Sequence, residues 1–318
     1  MMKKIILIAF YCLSSTVVAN DSTGFVGTGG VQYLKNKNIQ MVDEDLFISK
    51  KRILVQYNYK NLSANDITET VLFPLPTVEN YTYADFADTG KLIDSFTITA
   101  NGQKIKPNIH IQAFMQPIKN GEVNWDAEGI DITSELKKCG LTDQELMTPW
   151  SQVEQQNDIE NKIRQCQAPK VQQLSKIYDE GDTLIWSAQV IYSWKQTFKA
   201  NAITHIQHEY APLVGGSVAL SVEYEGQEYC MDQSFKAGLK NSKSPYASYS
   251  ALGYMLKTGA NWAKPIQNFR AIIERDASEL VSFCWSGKVK KLSPTQFELK
   301  EKNFVPKQDL KIIFVRKK

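Results

Sequence analysis

From Leu184 to Phe198 apolar residues recur at every second position, with Leu184, Trp186, Ala188, Val190, Tyr192 and Trp194 on one side. A helix would scatter these side chains around its axis, whereas a strand gathers them on one face. The same period governs Arg52–Leu62, where Ile53, Val55, Tyr57 and Tyr59 oppose Gln56, Asn58 and Lys60. Ala202–Tyr210 and Ser217–Tyr224 continue it, the second with Val218, Leu220, Val222 and Tyr224 aligned. Leu92–Ala100 (Leu92, Phe96, Ile98) and Lys104–Phe114 (Ile105, Ile109, Ile111) flank Asn101-Gly102. Both turn residues tolerate positive φ, so this stretch is predicted to be an antiparallel hairpin. Thr70–Pro76 reads as a strand stopped by Pro74 and Pro76, which cannot donate to a ladder. Antiparallel neighbours that each bury one face predict a sheet-on-sheet core.

The period changes near Ile130. Thr142-x-x-Glu145 has the form of a capping box, and Thr148-Pro149 offers an N-cap followed by proline. Val171, Leu174, Ile177 and Tyr178 lie on one helical stripe that Gly181 can close. The segment from about 130 to 181 is therefore expected as a helical insertion between strands. Farther on, Met231–Lys240 suggests a short helix. Tyr249–Leu256, Ile266–Glu274, Leu280–Trp285, Gln296–Lys300 and Leu310–Val315 are strand candidates. The expected fold is mainly β (α+β): an antiparallel β-sandwich domain over 20–225 carrying the insertion, then a smaller β-rich domain over 226–318.

Lys3 and Lys4, the apolar run Ile5–Leu13 and the small-residue site Val17-Val18-Ala19 form a secretory signal peptide over 1–19. The run is too short to anchor in a bilayer, and no later stretch reaches the roughly 20 apolar residues of a membrane helix. Cys12 follows bulky Phe10-Tyr11, which argues against lipidation. Removal of the signal leaves Cys139, Cys166, Cys230 and Cys284, an even number suited to two disulfides in an oxidising compartment. Of the three pairings, Cys139–Cys166 with Cys230–Cys284 is favoured, because each bridge then stays within a segment of one character. No C-x-x-C and no neighbouring His supports a zinc site at these cysteines. The net charge of +3 includes Lys3 and Lys4, so the trimmed chain is nearly neutral and exerts no long-range pull on nucleic acid.

Few reactive constellations occur. Neither phosphate-cradling glycine motif is present, nor a G-x-S-x-G elbow, and no cofactor is implied. Asp88-Thr89-Gly90 matches one aspartic-protease triplet, but that chemistry needs two carboxylates sharing a proton. His205-Ile206-Gln207-His208-Glu209 sits on a predicted strand, with His205 and Glu209 on one face and His208 on the other. His208 reads first as a sheet histidine beside Ile206 and Tyr210, and second as a polar group in a cleft. Tryptophans beside amides can stack on sugars or grip peptides, which draws attention to Trp194, Gln196, Asp232, Asn261, Trp262 and Trp285. Asn261-Trp262 stands out because it follows Gly259 in an apparent loop.

Longer strings carry a family resemblance. Phe73-Pro74-Leu75-Pro76, Tyr192-Ser193-Trp194-Lys195-Gln196-Thr197-Phe198, His208-x-Tyr210, Tyr229-Cys230-x-Asp232 and Thr258-Gly259-Ala260-Asn261-Trp262-x-x-Pro265-Ile266 are the most distinctive. With Asn20–Gly30, Leu280–Cys284 and Ser293-Pro294-Thr295-x-Phe297 they resemble the bacterial family called domain of unknown function 4424, over nearly the whole trimmed chain. The resemblance implies an exported protein with no assigned activity and no catalytic residues to carry over. It places Cys230 and Cys284 on family cysteine positions, and Cys139 and Cys166 outside them. The Phe-Pro-Leu-Pro strand is also similar to one in the inter-alpha-trypsin-associated domain.

The functional expectation is an exported, non-catalytic protein binding a partner, small molecule or polymer, with Trp194, Gln196, His208, Tyr210, Asp232, Asn261 and Trp262 as candidate ligand residues. The alternative is an extracellular hydrolase using His208 with Asp232 or Glu209. An envelope assembly subunit is a third reading, and the charge balance leaves homo-oligomerisation open. The expected location is periplasmic or extracellular, with the extracellular reading ahead; a folded, disulfide-bearing chain is compatible with type II secretion.

Overall fold

Ile53–Asn61 (β4) buries Ile53, Val55, Tyr57, Tyr59 and Asn61 and turns the residues between them outward. That alternation sets its register against Ile39–Ile48 (β3) on one side and Ile203–Tyr210 (β14) on the other. The computed structural model describes residues 21–27, 30–79, 93–119, 122–124, 127, 129–147, 153–175, 186–240 and 247–317. The signal peptide, the 88–90 triplet, Thr148-Pro149, Leu92, Ile177, Tyr178, Gly181 and Leu184 lie outside the described residues.

Mainly β architecture is what the alternation produces. Eight strands form the largest sheet, in the order Val289–Lys291 (β19), Gln296–Phe304 (β20), Ile266–Glu274 (β17), β3, β4, β14, Thr97–Ala100 (β7) and Gln103–Ile105 (β8). Its pairings are antiparallel except β17 with β3, which run parallel from Asn268↔Asp43 to Ile273↔Ile48. A second sheet orders Ile130–Asp131 (β12), Asn108–Met115 (β9), Ser187–Phe198 (β13), Ile67–Pro74 (β5), Ser22–Gly27 (β1) and Gly30–Leu34 (β2), with Val78–Glu79 (β6) also on β13. Ile118–Lys119 (β10) and Glu122–Val123 (β11) pair as a small hairpin, and a third large, four-stranded sheet orders Gly215–Ser217 (β15), Tyr249–Tyr254 (β16), Leu310–Arg316 (β21) and Glu279–Phe283 (β18).

One apolar core joins the three sheets: Tyr57 and Tyr59 from the largest, Phe73, Tyr192 and Trp194 from the second, Leu252, Ile312 and Phe314 from the third. β21 is buried on both faces, as a central strand must be. Its Leu310, Ile312 and Phe314 face this core, while Ile313 and Val315 meet Met231 and Phe235 beside the helix Gln233–Lys240. Across the expected boundary at 225/226, β17 continues the same sheet as β3 and the same core.

The insertion is helical, with helices at Thr133–Lys138, Asp143–Met147, Val153–Gln165 and Pro169–Ser175. Its capping box is reciprocal: Glu145 N donates to Thr142 Oγ1 at 3.2 Å, and Thr142 N to Glu145 Oε2 at 2.8 Å. Trp186 Nε1 donates to the Leu146 carbonyl at 3.1 Å and ties the insertion to the lead-in of β13. Cys139–Cys166 closes the helical segment and Cys230–Cys284 the later one, each with Cα atoms 5.0 Å apart. Among the described residues no helix is long and apolar enough to cross a membrane.

Two strand expectations need correction. Asn101 (φ 49°) and Gly102 (φ 80°) do form the tight turn, but the strand after it stops at Ile105. Pro107 breaks the run, and 108–115 crosses to the second sheet, leaving Ile109 half exposed rather than in register with Ile105. The strand before the turn begins only at Thr97, since Phe96 N donates back to Ile93 O. Ser217–Tyr224 is not a strand beyond Ser217. Glu225 Oε2 accepts from Ser221 N at 2.9 Å and turns the chain into the helix Glu225–Glu228, leaving Val218 and Tyr224 more than three-quarters exposed.

Candidate ligand-binding cleft

The residues that chemistry singled out in the sequence lie mostly inside the core. His208 and Asp21 are both completely buried, with His208 Nε2 3.0 Å from Asp21 Oδ1. Phe73 stacks on the imidazole at 4.5 Å between ring centroids, and Phe96, Tyr57 and Trp194 surround it at 5.4–5.6 Å. Asp21 is held further: Tyr59 Oη donates to Oδ2 at 3.0 Å, and Trp262 Nε1 donates to its carbonyl at 2.7 Å. Asn261 Nδ2 donates to Ser22 Oγ at 3.1 Å, and Asn261 O accepts from Asn36 N at 2.7 Å. Trp262 and Asn261 thus dock the segment 21–22 instead of facing solvent.

Neither carboxylate expected beside His208 is its partner. Glu209 points to the other face of β14 and pairs with Arg52 at 3.3 Å, while Asp232 Oδ1 accepts from Phe235 N at 2.7 Å at the start of a helix. Trp194, Gln196 and Tyr210 are buried as well. General acid–base chemistry requires a substrate within about 3 Å of the acting group, and the His208 imidazole is fully buried.

Open concave surface occurs elsewhere. A cleft of about 540 Å³ lies over the end of the four-stranded sheet. Its floor is β16 from Tyr249 through Gly253 to Met255, flanked by Pro76-Thr77, Leu213–Gly216, Glu228-Tyr229 and Asp309–Lys311. That volume falls within the range of small-molecule sites. Two glycines shape it. A Cβ at Gly216 would run into the Tyr249 carbonyl, so glycine lets β15 close on β16; a Cβ at Gly253 would meet nothing within 4 Å.

Polar groups around the cleft are fixed before any ligand arrives. Lys311 Nζ pairs with Glu228 Oε1 at 2.6 Å. Asp309 Oδ1 accepts from Leu256 N and Lys257 N at 2.9 and 3.1 Å. Tyr249 Oη donates to Glu225 Oε1 at 3.1 Å; burial and then Glu225 push its pKa up to about 12. Tyr229 is raised as well, by burial first and then by Glu228. The wall carrying Glu228 and Tyr229 is stapled to β18 by Cys230–Cys284 and by Ser282 Oγ donating to Tyr229 O at 2.8 Å. Below the floor, Tyr254 Oη meets Tyr57 Oη at 3.0 Å and donates to Glu44 Oε1 at 3.3 Å, inside the core. Burial first holds the hydroxyls of Tyr57, Tyr59 and Tyr254 well above the usual tyrosine pKa, with Tyr254 next for Tyr57, Asp21 next for Tyr59 and Glu44 next for Tyr254.

The cleft escaped sequence reasoning because glycines and scattered loop ends build it. The one available signal was glycine inside or beside strands, at Gly215-Gly216 and Gly253.

The family described as Domain of unknown function (DUF4424) matches residues 19–313. The chain belongs to the DUF4424 family. No curated protein matches the sequence. Among solved structures, this DUF4424 chain is similar to a Legionella pneumophila protein described as a candidate nutrient-binding protein, at 14% identity and a TM-score of 0.44, over 93% of this chain and 70% of that one. It is also similar to yeast LTA4 hydrolase (11% identity, TM-score 0.30, 89% of this chain and 30% of that one). An M1 zinc metallopeptidase from Deinococcus radiodurans gives 9% identity and a TM-score of 0.28, over 88% of this chain and 43% of that one. The DUF4424 chain spans less than half the length of either enzyme. Among its described residues, no group of three or more His, Cys, Asp or Glu is placed to hold a metal ion.

Proposed function

We propose that this DUF4424 protein is an exported, non-catalytic binding protein that holds its ligand in the cleft over the four-stranded sheet. The observation that carries the reading is the cleft itself: about 540 Å³, floored by a strand and walled by Tyr229 and Tyr249. Rigid aromatic walls offer contact area at little entropic cost, and pre-formed ion pairs orient polar groups. The disulfide beside Tyr229 keeps that wall in place. Export is supported by the two disulfides and by the amino-terminal pattern Lys3-Lys4, Ile5–Leu13, Val17-Val18-Ala19. We assign the protein to the medium ahead of the periplasm; fractionation of a growing culture, with the bulk in washed cell contents, would contradict that.

A thermal-shift screen of amino acids, peptides, sugars and fatty acids tests the binding reading. A ligand of the cleft raises the melting temperature of the native chain and leaves Gly253→Trp unmoved, because an indole there fills open space. Hits that stabilise both proteins equally would refute the site. Turnover of a polymer by the purified protein, lost in His208→Gln, would refute the non-catalytic reading.

A further inference from the structure

The hydrogen-bonding edge of β16 ends inside the cleft. Ala247 O accepts from Leu220 N, on the β15 side, and Ser248 O accepts from Arg316 N, on the β21 side. Backbone direction alternates along an antiparallel strand, so 249, 251 and 253 address β15 while 250, 252 and 254 address β21. The β16–β21 register runs without a slip from Tyr249↔Val315 to Tyr254↔Leu310. β15, however, stops at Gly215↔Ala251. Gly253 is the next residue aimed at that side, and its N–H and C=O have no partner there among the described residues. Gly253 lines the cleft, and a Cβ added there would meet nothing within 4 Å.

Charge says what fits this edge. Lys311 pairs with Glu228 at 2.6 Å, so that among the described lining residues Asp309 is the charged group without an ion pair. Glu225, behind Tyr249, has the same sign. We propose that the ligand is an extended peptide with basic side chains, added as a strand to β16 at Gly253. This rests on the cleft being the binding site. Main-chain bonds to Gly253 would give affinity, and alternate side chains would reach the tyrosine walls and Asp309. An edge left open within a cleft is also shielded from the chain-to-chain pairing that exposed edges invite.

Four capped peptides test it by calorimetry on the full, disulfide-bonded protein: Ac-Val-Lys-Val-Lys-Val-NH2, its Glu counterpart, and both with every backbone nitrogen methylated. The Lys peptide should bind at least tenfold more tightly than the Glu peptide, and methylation should abolish binding. Gly253→Pro, which removes the donor on an edge where proline is tolerated, should weaken the Lys peptide about tenfold or more. Asp309→Asn should erase the preference for Lys over Glu while keeping the amide-accepting oxygen. Equal binding of methylated and unmethylated peptides overturns the strand-addition proposal. No peptide binding, together with a sugar or fatty-acid hit blocked by Gly253→Trp, overturns the peptide class and leaves the cleft standing. Peptide binding that survives Gly253→Trp refutes both.

Discussion

Asp21 Oδ1 lies 3.0 Å from His208 Nε2 with neither side chain exposed, joining the start of the described chain to a strand 187 residues later. The same aspartate takes a hydroxyl from Tyr59 and an indole N–H from Trp262. Asp21→Ala therefore strips two buried groups, the His208 imidazole and the Tyr59 hydroxyl, of their partner at once, while the Trp262 bond to the backbone carbonyl remains. Leaving a buried polar group without its partner costs about 1–3 kcal/mol, so denaturant unfolding should show a loss of that order for each of the two groups. Ligand affinity in the cleft should stay within about twofold, since the two sites share no residue. A loss under about 0.5 kcal/mol would show that the segment 21–22 is not anchored as described.

Trp262 separates packing from hydrogen bonding. Its ring lies 4.5 Å from that of Tyr59, and its N–H serves Asp21 O. Trp262→Ala should cost about 3–5 kcal/mol. Trp262→Phe keeps most of the ring and loses the donor, so about 1–3 kcal/mol is expected. Equal stability of Trp262→Phe and wild type would mean the Asp21 carbonyl finds another donor.

The two disulfides should differ in what they protect. Each closes a loop whose entropy is worth about 3.5 to 4 kcal/mol in the chain-entropy model. Cys230→Ser with Cys284→Ser should lower stability and also weaken cleft binding, because that bridge holds the wall bearing Tyr229. Cys139→Ser with Cys166→Ser should lower stability alone. Comparing affinities of the two double variants under conditions where both stay folded decides this.

Stability against pH should fall at both ends for separate reasons. Tyr57, Tyr59 and Tyr254 have raised values in the folded chain, burial being the largest cause. They are neutral when protonated, so their contribution is complete below the unfolded value of about 10 and is lost as pH rises beyond it. Absorbance near 295 nm should show these phenols ionising only as the protein unfolds. At the acid end, the hydrogen bond from Arg270, with that from Lys300, holds Glu298 below its ordinary value. Its contribution is present above about pH 4.5 and lost as pH falls through the lowered folded value. Glu298→Gln should flatten the acid limb and leave the alkaline limb unchanged.

Local rules made much of this legible. Alternation in 52–62 and 184–198 predicted strands because the β period is two, and strands run over Ile53–Asn61 and Ser187–Phe198. Thr142 and Glu145 predicted a cap because both partners lie within one turn. Segment character was enough to pair the cysteines. Ser217–Tyr224 misled because alternation cannot see Glu225 capturing the Ser221 amide. His208 and Trp262 attracted attention as polar and aromatic side chains, yet their partner Asp21 is far off in sequence and looks like ordinary polar surface there. The cleft was hidden for a different reason. Its distinguishing groups are an absent side chain at Gly253 and a strand that stops at Gly215, and neither has a chemical signature.

Glycine variants carry that point into measurement. Gly216→Ala should destabilise the protein and loosen β15 from β16, since a methyl group would collide with the Tyr249 carbonyl. Gly253→Ala should be neutral or slightly stabilising, with open space around its methyl group. Similar unfolding midpoints for the two variants would contradict this account of the cleft floor.

Hydrogen–deuterium exchange with and without the ligand returned by the thermal-shift screen tests the central claim most directly. The account predicts slowed exchange across Gly215–Ser217, Tyr249–Met255 and Asp309–Lys311, with the amides around His208 and Trp262 unchanged. Protection centred on β14 and the Asn261-Trp262 turn, with Gly253 exchanging as fast as before, would contradict it.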